Sequence, residues 1–133
     1  MFYSQISASL LQACKATLLA SGVNDHNMNL IEVPGAFELV SGAHLLLERK
    51  EPDAVICLGC VIKGETRHDT YINHAVAQGL MRLSIEYNTP VIFGVLTTDT
   101  IDQAQARAGG GLGNKGEEAA LAALKMGLLW GEK

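Results

Sequence analysis

The chain has 133 residues, of which 48% are hydrophobic, 14 are glycine and 3 are proline, a length and composition typical of one globular α/β domain with its own apolar core. Its formal net charge is −4 and it has no run of lysine or arginine, which argues against binding to nucleic acid or to an anionic membrane surface. No apolar run approaches the ~20 residues that span a bilayer, so we expect a single cytoplasmic domain over residues 1–133 with no membrane partner.

The amino-terminal third predicts a helix, a strand and a second helix. Apolar residues recur at helical spacing over residues 4–21 and end at Gly22, a residue that suits the position after a helix. Leu30-Ile31-Glu32-Val33 is a short apolar stretch that predicts a strand. Pro34 suits the first turn of a helix, and helical periodicity then continues from Ala36 to Lys50.

The centre of the chain predicts two buried strands separated by a helix. Residues 54–62 form an apolar run that is too short for a buried helix, so it indicates a strand covered on both faces. A helix from about Thr70 is predicted to stop at Asn88-Thr89-Pro90, because proline disfavours helical geometry in the residue before it. The run Val91 to Leu96 predicts another buried strand.

The carboxyl-terminal third predicts two helices joined by a glycine-rich turn. Thr100 and Gln103 have the spacing of a capping box, which should open a short helix that reaches Ala108. Asn114, with Glu117 three residues later, is a candidate cap for a final helix through about Leu129.

The alternation of strands and helices predicts a three-layer α-β-α fold with a parallel sheet, in which ligands bind beyond the carboxyl ends of the strands. Polar and special residues gather where predicted strands end, at residues 34–38, 63–68 and 97–99. Gly64, Glu65 and Thr66 lie between a strand and a helix, where free backbone N–H groups suit an anion such as phosphate. We therefore expect the functional site at this edge of the sheet.

Histidine in this cluster has two readings. His68 could transfer protons at neutral pH, or it could be a solvated loop histidine without a role. His26, His44 and His74 lie elsewhere, and no metal-ligand spacing connects them, so no metal site is predicted.

The glycine-rich turn matches a nucleotide-binding pattern only superficially. Gly111 to Gly116 fits G-x-G-x-x-G, but it follows a predicted helix instead of a strand, and Lys115 is followed by Gly116 where a P-loop needs Ser or Thr. We reject both nucleotide readings. A flexible turn would explain the glycines but not Arg107 and Lys115 beside them, which suit a phosphate or another protomer's site.

The three cysteines do not predict a metal or redox centre. Cys14, Cys57 and Cys60 cannot all pair within one chain, which favours a reducing compartment. Cys57 and Cys60 form a C-x-x-C, but residues three apart on a strand point to opposite faces. No second pair of ligands is present to complete a zinc site.

Three segments together resemble the lumazine synthase family. They are Val33-Pro34-Gly35-Ala36-Phe37-Glu38-Leu39, then Leu58 to Thr66 with His68, then Pro90 to Thr100 continued by Arg107-Ala108-Gly109 and Gly113-Asn114-Lys115-Gly116. The resemblance covers essentially the whole chain. It implies a flavodoxin-like fold and a transferase without cofactor, which condenses 5-amino-6-(ribitylamino)uracil with 3,4-dihydroxy-2-butanone 4-phosphate to 6,7-dimethyl-8-ribityllumazine, the penultimate step of riboflavin biosynthesis.

The resemblance also implies roles for individual residues. His68 would transfer protons, Glu38 would accept hydrogen bonds from ribityl hydroxyls, and Lys115 would lie nearby. Gly64, Glu65, Thr66 and Arg107 would hold the phosphate. The remaining substrate-binding residues would be Phe2, which stacks on the pyrimidine, and Ala36, Phe37, Cys60, Val61, Ile62 and Phe93, some acting through the backbone.

Assembly is a further implication of the resemblance. The family forms pentamers with sites between subunits, so Phe93, Arg107 and Lys115 are expected from the adjacent chain. Decamers, shells of 60 subunits and riboflavin synthase as a partner are consistent with it too. Family members also have strands before the Phe2 turn, one of them central in the sheet, so we expect this sequence to be an amino-terminally shortened version of the natural chain.

Three positions depart from the family pattern, namely Tyr3 in place of asparagine, and Asp69 and Thr70 in place of an aromatic residue and an acid. They change the expected wall of the pocket and the groups that orient His68. Two other functions are also consistent with the scaffold: a shell or ligand-binding protein without turnover, and the related riboflavin synthase of archaea. The site residues argue against a purely structural shell.

Overall fold

The computed structural model describes residues 4–63 and 69–131. The helices are α1 (Ser4–Ala20), α2 (Leu39–Lys50), α3 (Asp69–Tyr87), α4 (Ile101–Ala106) and α5 (Lys115–Gly131), and the strands are β1 (Val55–Ile62), β2 (Val91–Thr98), β3 (Ala108–Gly110) and β4 (Gly113–Asn114). Two 3₁₀ turns, Asp25–Asn27 and Ala36–Glu38, lie between α1 and α2. In these ranges none of the helices has the length and apolar character needed to cross a membrane.

A parallel pair of strands forms the middle layer. β1 and β2 run side by side in register from Val55 opposite Val91 to Ile62 opposite Thr98. Helices α2 and α3 pack on one face of the pair, and α1 and α5 pack on the other. The predicted α/β fold with helices on both faces of a parallel sheet is therefore confirmed.

The face under α2 and α3 holds one apolar core. Residues in register on parallel strands point to the same face, so Val55 and Cys57 lie on one side with Val91. The two helices approach closely, because a β-carbon added at Gly79 of α3 would lie 2.8 Å from a methyl carbon of Val40 on α2. The buried members of this core are Ala43, Leu47, Val55, Cys57, Val76, Leu80 and Leu83.

The opposite face holds a second core beneath α1 and α4. Leu96 and Ile62 point into it from the two strands, and Leu10 of α1 is completely buried against them. Helix α5 lies close to the same face, because a β-carbon added at Gly94 would lie 3.0 Å from Cβ of Ala119. The buried members are Ile6, Leu10, Ile62, Leu96, Ala104 and Ala108.

The predicted boundaries of the central elements hold to within two residues. Helix α3 ends at Tyr87, and Asn88 takes a left-handed backbone conformation at φ 50° before Pro90. The capping box before α4 is present, with Thr100 accepting a hydrogen bond from the backbone of Gln103, although α4 ends at Ala106 and not at Ala108. Strand β2 continues past Leu96 through two threonines.

The predicted strand at Leu30–Val33 is wrong. These residues have irregular backbone, and Leu30 is 67% exposed. A strand needs a neighbour to satisfy its backbone groups, and the described residues place no strand beside this segment. The helix expected from Ala36 is also delayed: a 3₁₀ turn covers Ala36–Glu38, and α2 begins at Leu39.

Candidate functional site

The carboxyl ends of β1 and β2 finish together and define the edge at which the site was expected. Val61 lies opposite Thr97, and Ile62 lies opposite Thr98. The backbone N–H of Lys63 then donates a hydrogen bond to the carbonyl of Thr98 at 2.6 Å, so the pairing extends one residue beyond β1. We call this region the carboxyl edge.

The Ala36–Glu38 turn packs against β1 and α3, and Leu39, directly after it, lies over Gly59, three residues before the end of β1. The backbone N–H of Glu38 donates to the carbonyl of Gly35 at 3.2 Å. The Glu38 carboxylate folds back over the same turn, because a β-carbon added at Gly35 would lie 3.2 Å from its Oε1. Phe37 is 59% exposed, so its ring is available to a ligand or a neighbouring molecule.

The three predicted binding residues at the end of β1 point in two directions. Val61 shares the α3 face with Thr97, whereas Cys60 and Ile62 lie on the α1 face. Ile62 is only 6% exposed and belongs to the second core, and Cys60 packs against that core. The Ile62 side chain is therefore committed to the core, which leaves its backbone for a ligand.

Within one chain, Phe93 lies away from the predicted binding residues at the end of β1. It is opposite Cys57 in the middle of β2, five residues before Thr98. At about 3.3 Å per residue, that separation is about 17 Å along the strand. The ring is 39% exposed, so it remains accessible from outside the subunit.

Arg107 and Lys115 are brought together by a hairpin that the sequence did not predict. Strands β3 and β4 are antiparallel, and the backbone N–H of Lys115 donates to the carbonyl of Arg107 at 2.8 Å. Gly109 and Gly113 have φ values of 107° and 89°, which side-chain-bearing residues rarely adopt. The glycine-rich segment is thus a shaped hairpin with two cations at its base, with Arg107 exposed and Lys115 half-buried.

Asn114 caps α5, as predicted, and also ties it to α1. Its Oδ1 accepts a hydrogen bond from the backbone N–H of Gly116 at 2.7 Å, and its Nδ2 donates to the carbonyl of Ser9 at 3.4 Å. Gly116 lies directly against the backbone of Leu10, where a β-carbon would overlap the carbonyl group. The start of α5 is therefore fixed by contacts with a segment about 105 residues earlier in the chain.

Asn73, which also lies at this edge, was not among the residues predicted from the sequence. Thr97 Oγ1 donates a hydrogen bond to Asn73 Oδ1 at 3.3 Å, which joins β2 to α3. Thr97 was part of the predicted polar cluster, but Asn73 looked like an ordinary position in a helix. The only sign in the sequence is that a polar residue lies on one face of this helix. That sign becomes informative only when the face that packs against the sheet is known.

The C-x-x-C pair lies on opposite faces of β1, as predicted. Cys57 is in the core under α2 and α3, and Cys60 packs against the other core. Burial raises the pKa of Cys57 to about 12, so its thiol stays protonated at neutral pH. Among the described residues, no three His, Cys, Asp or Glu side chains form a group that could hold a metal ion.

Several predicted site residues lie outside the described ranges. They are Phe2, Gly64, Glu65, Thr66 and His68. The predicted site residues that the structure does describe lie in the Ala36–Glu38 turn, in β1 and β2, and at the base of the Arg107–Lys115 hairpin. Fold and site together define a parallel α/β protein with its candidate site at the carboxyl edge of the sheet.

Comparison with known proteins assigns the family. The model of the 6,7-dimethyl-8-ribityllumazine synthase family matches residues 1–130. A 6,7-dimethyl-8-ribityllumazine synthase of Cytophaga hutchinsonii is 52% identical over 122 residues, which are 92% of this chain and 77% of that protein. The protein of the same name from Parabacteroides distasonis is 50% identical over 121 residues, 91% of this chain and 76% of that protein. The chain therefore belongs to the 6,7-dimethyl-8-ribityllumazine synthase family.

Proposed function

We propose that this chain is a transferase that condenses 5-amino-6-(D-ribitylamino)uracil with 3,4-dihydroxy-2-butanone 4-phosphate. The products are 6,7-dimethyl-8-ribityllumazine, phosphate and water, in the penultimate step of riboflavin biosynthesis. The observation that carries this proposal is the family match over residues 1–130, together with relatives about half identical over nine-tenths of the chain.

The proposed division of roles assigns the uracil to the carboxyl edge. The turn at Ala36 and Phe37, with Cys60, Val61 and Ile62, lines the pyrimidine, and Phe2 stacks on it. Glu38 accepts hydrogen bonds from the ribityl hydroxyls. The packing of the Ala36–Glu38 turn against β1 supports this grouping, because it brings residues about 25 positions apart to one edge.

The phosphate-bearing substrate is assigned to cations and backbone amides. Gly64, Glu65, Thr66 and Arg107 hold the phosphate, with Lys115 nearby, and His68 transfers protons. The hydrogen bond between the backbones of Arg107 and Lys115 supports this assignment, because it holds the main chains of the two cationic residues side by side. A bidentate guanidinium suits a phosphate group.

Orientation should supply most of the rate enhancement. An amine and a carbonyl form an imine readily once their reacting atoms are juxtaposed, and phosphate release and ring closure follow. Effective concentrations gained by such positioning are large, so acid-base catalysis by His68 has less to contribute.

We further propose that the protein is a cytoplasmic homo-oligomer, either a pentamer or a larger shell built from pentamers. In this assembly Phe93, Arg107 and Lys115 reach the site of the adjacent subunit. The exposure of Phe93 away from the carboxyl edge supports this arrangement. Large apolar side chains exposed on α3 and α5 also favour self-association. They are Met81, Ile85, Leu128 and Leu129, which are 61%, 76%, 71% and 54% exposed. Native mass spectrometry measures the assembly size.

The test of the activity is a direct assay. The two substrates are mixed with the protein, and lumazine absorbance and phosphate release are followed together. Equal amounts of both products are expected. Substrate binding without turnover would instead indicate a shell or ligand-binding protein, and conversion of lumazine to riboflavin would indicate a riboflavin synthase.

A further inference from the structure

The last two residues of β2 are threonines whose side chains point to opposite faces of the sheet. Thr98 is buried, and its Oγ1 donates to the carbonyl of Thr100 at 2.8 Å within the turn that leads to α4. Thr97 is half-buried, and its Oγ1 donates to Oδ1 of Asn73 on α3 at 3.3 Å. Thr98 therefore closes a local turn, whereas Thr97 joins two separate elements.

The bond between Thr97 and Asn73 lies beside the candidate site. Thr97 is opposite Val61 in the strand register, and the Ala36–Glu38 turn packs on α3. Helix α3 begins at Asp69, the residue after His68 in the sequence. The chain that leaves β1 is held at the same place, because the N–H of Lys63 donates to the carbonyl of Thr98.

We propose that Asn73 and Thr97 are positioning residues for the condensation. Their hydrogen bond fixes the first turns of α3 against the end of β2. It thereby sets where α3 begins, at Asp69, and where the Ala36–Glu38 turn lies against α3. This inference rests on the proposed function, and both residues act through α3 instead of touching the reacting atoms.

The geometry limits the size of the effect. At 3.3 Å the bond is longer than the ~2.7–2.8 Å typical of hydroxyl donors, and both partners are neutral, so its net contribution is small. A small displacement of reacting groups still lowers the rate, because the reaction depends on alignment. We expect kcat to fall about three- to tenfold without the bond, with KM for both substrates nearly unchanged.

The experiment removes each partner in the full chain. Thr97→Val and Asn73→Leu each delete one side of the hydrogen bond, the double variant completes a thermodynamic cycle, and Thr97→Ser restores a hydroxyl. Thr89→Val is the matched control, because Thr89 is also half-buried and its Oγ1 donates to the carbonyl of Tyr87 at 3.0 Å, but at the other end of the sheet.

Two readouts separate positioning from a general loss of stability. Steady-state kinetics should give a lower kcat for both single variants, no further loss in the double variant, and recovery in Thr97→Ser. Amide hydrogen exchange should accelerate in residues 69–76 but not in residues 55–60. Thr89→Val should keep the wild-type kcat.

The outcomes distinguish this inference from the proposed function. A wild-type protein that makes no lumazine refutes the proposed function and, with it, the catalytic purpose of the pair. If the wild type is active, the inference alone is overturned by any of three results. These are a Thr97→Val kcat no lower than that of Thr89→Val, additive losses in the double variant, or unchanged exchange at the start of α3.

Discussion

The two edges of the β1–β2 pair are built from the same strands, but different kinds of contact hold them. At the amino edge, side-chain hydrogen bonds join close neighbours: Ser84 Oγ donates to the carbonyl of Thr89, and Thr89 Oγ1 donates to that of Tyr87. At the carboxyl edge, Thr98 Oγ1 also closes a local turn to the carbonyl of Thr100, but Thr97 Oγ1 donates to Asn73 on a separate helix, 24 residues earlier. Residues that share a site must converge from different parts of the chain, and the bond between Thr97 and Asn73 is such a contact at the edge that carries the proposed function.

The greatest change in stability at neutral pH should follow a substitution at the start of α5. Gly116→Ala should lower the free energy of unfolding by about 2 kcal/mol or more, because the added β-carbon would overlap the Leu10 carbonyl group. Gly127→Ala is the matched control, since nothing lies within 4 Å of a β-carbon there, and alanine should gain up to about 1 kcal/mol. Chemical denaturation measures both, and equal stability of the two variants would refute the close α1–α5 contact.

The next effect concerns the phosphate-bearing substrate. Arg107→Ala should lower kcat/KM for that substrate on the order of 10²–10³-fold, because the variant lacks the proposed donor to the phosphate anion. Arg49→Ala, which removes an exposed arginine from the last turn of α2, should stay near wild type. Steady-state kinetics measures both.

The same assay ranks His68 against Arg107. His68→Ala should slow turnover only about 10²-fold or less, as expected when acid-base catalysis is secondary to orientation. An inactive His68→Ala together with a normal Arg107→Ala would reverse the proposed roles.

A smaller effect, on KM, should distinguish two carboxylates near α2. Glu38→Gln should raise KM for the ribitylamino substrate about tenfold, because hydrogen bonds to a charged acceptor are stronger than those to a neutral amide. Glu48→Gln alters an exposed glutamate within α2, 3.6 Å from His44, and should leave KM unchanged. A matching rise in both variants would argue that Glu38 does not contact substrate.

The final prediction concerns Cys57, which lies between the two edges, and the expected change appears only above neutral pH. The Cys57 pKa rises from 9.0 to about 12 on folding, so the folded state retains a proton that the unfolded chain releases in this range. The free energy of unfolding should therefore fall as pH rises from about 9 to 12. Burial raises the pKa of Cys14 as well, so a Cys57→Ala variant should show a shallower decline, not a flat one. Denaturant unfolding at a series of pH values checks this.

The features that could not be predicted from the sequence depend on segments that are distant in the chain but close in space. The Leu30–Val33 stretch has the apolar pattern of a strand, but the described residues place no strand beside it, so its backbone stays irregular. The sequence predicts only a turn where residues 108–114 form a hairpin, because glycine-rich segments carry little periodicity. Asn73 was missed because a single polar residue in a helix does not reveal which element it faces.

Features encoded within a few neighbouring residues could be predicted from the sequence alone. The apolar runs of β1 and β2, the stop of α3 before Pro90, the Thr100 capping box and the opposite faces of Cys57 and Cys60 all follow from spacing within a few residues. The family was also readable from three ordered motifs, and the comparisons confirm it.

Contacts between distant residues, in contrast, became visible only in the folded structure. It brought Asn73 to Thr97 and Arg107 to Lys115, committed the Ile62 side chain to the core, and left Phe93 exposed away from the carboxyl edge. The physical reason is that local backbone preferences act over a few residues, whereas these placements depend on how whole helices pack on the two faces of the sheet.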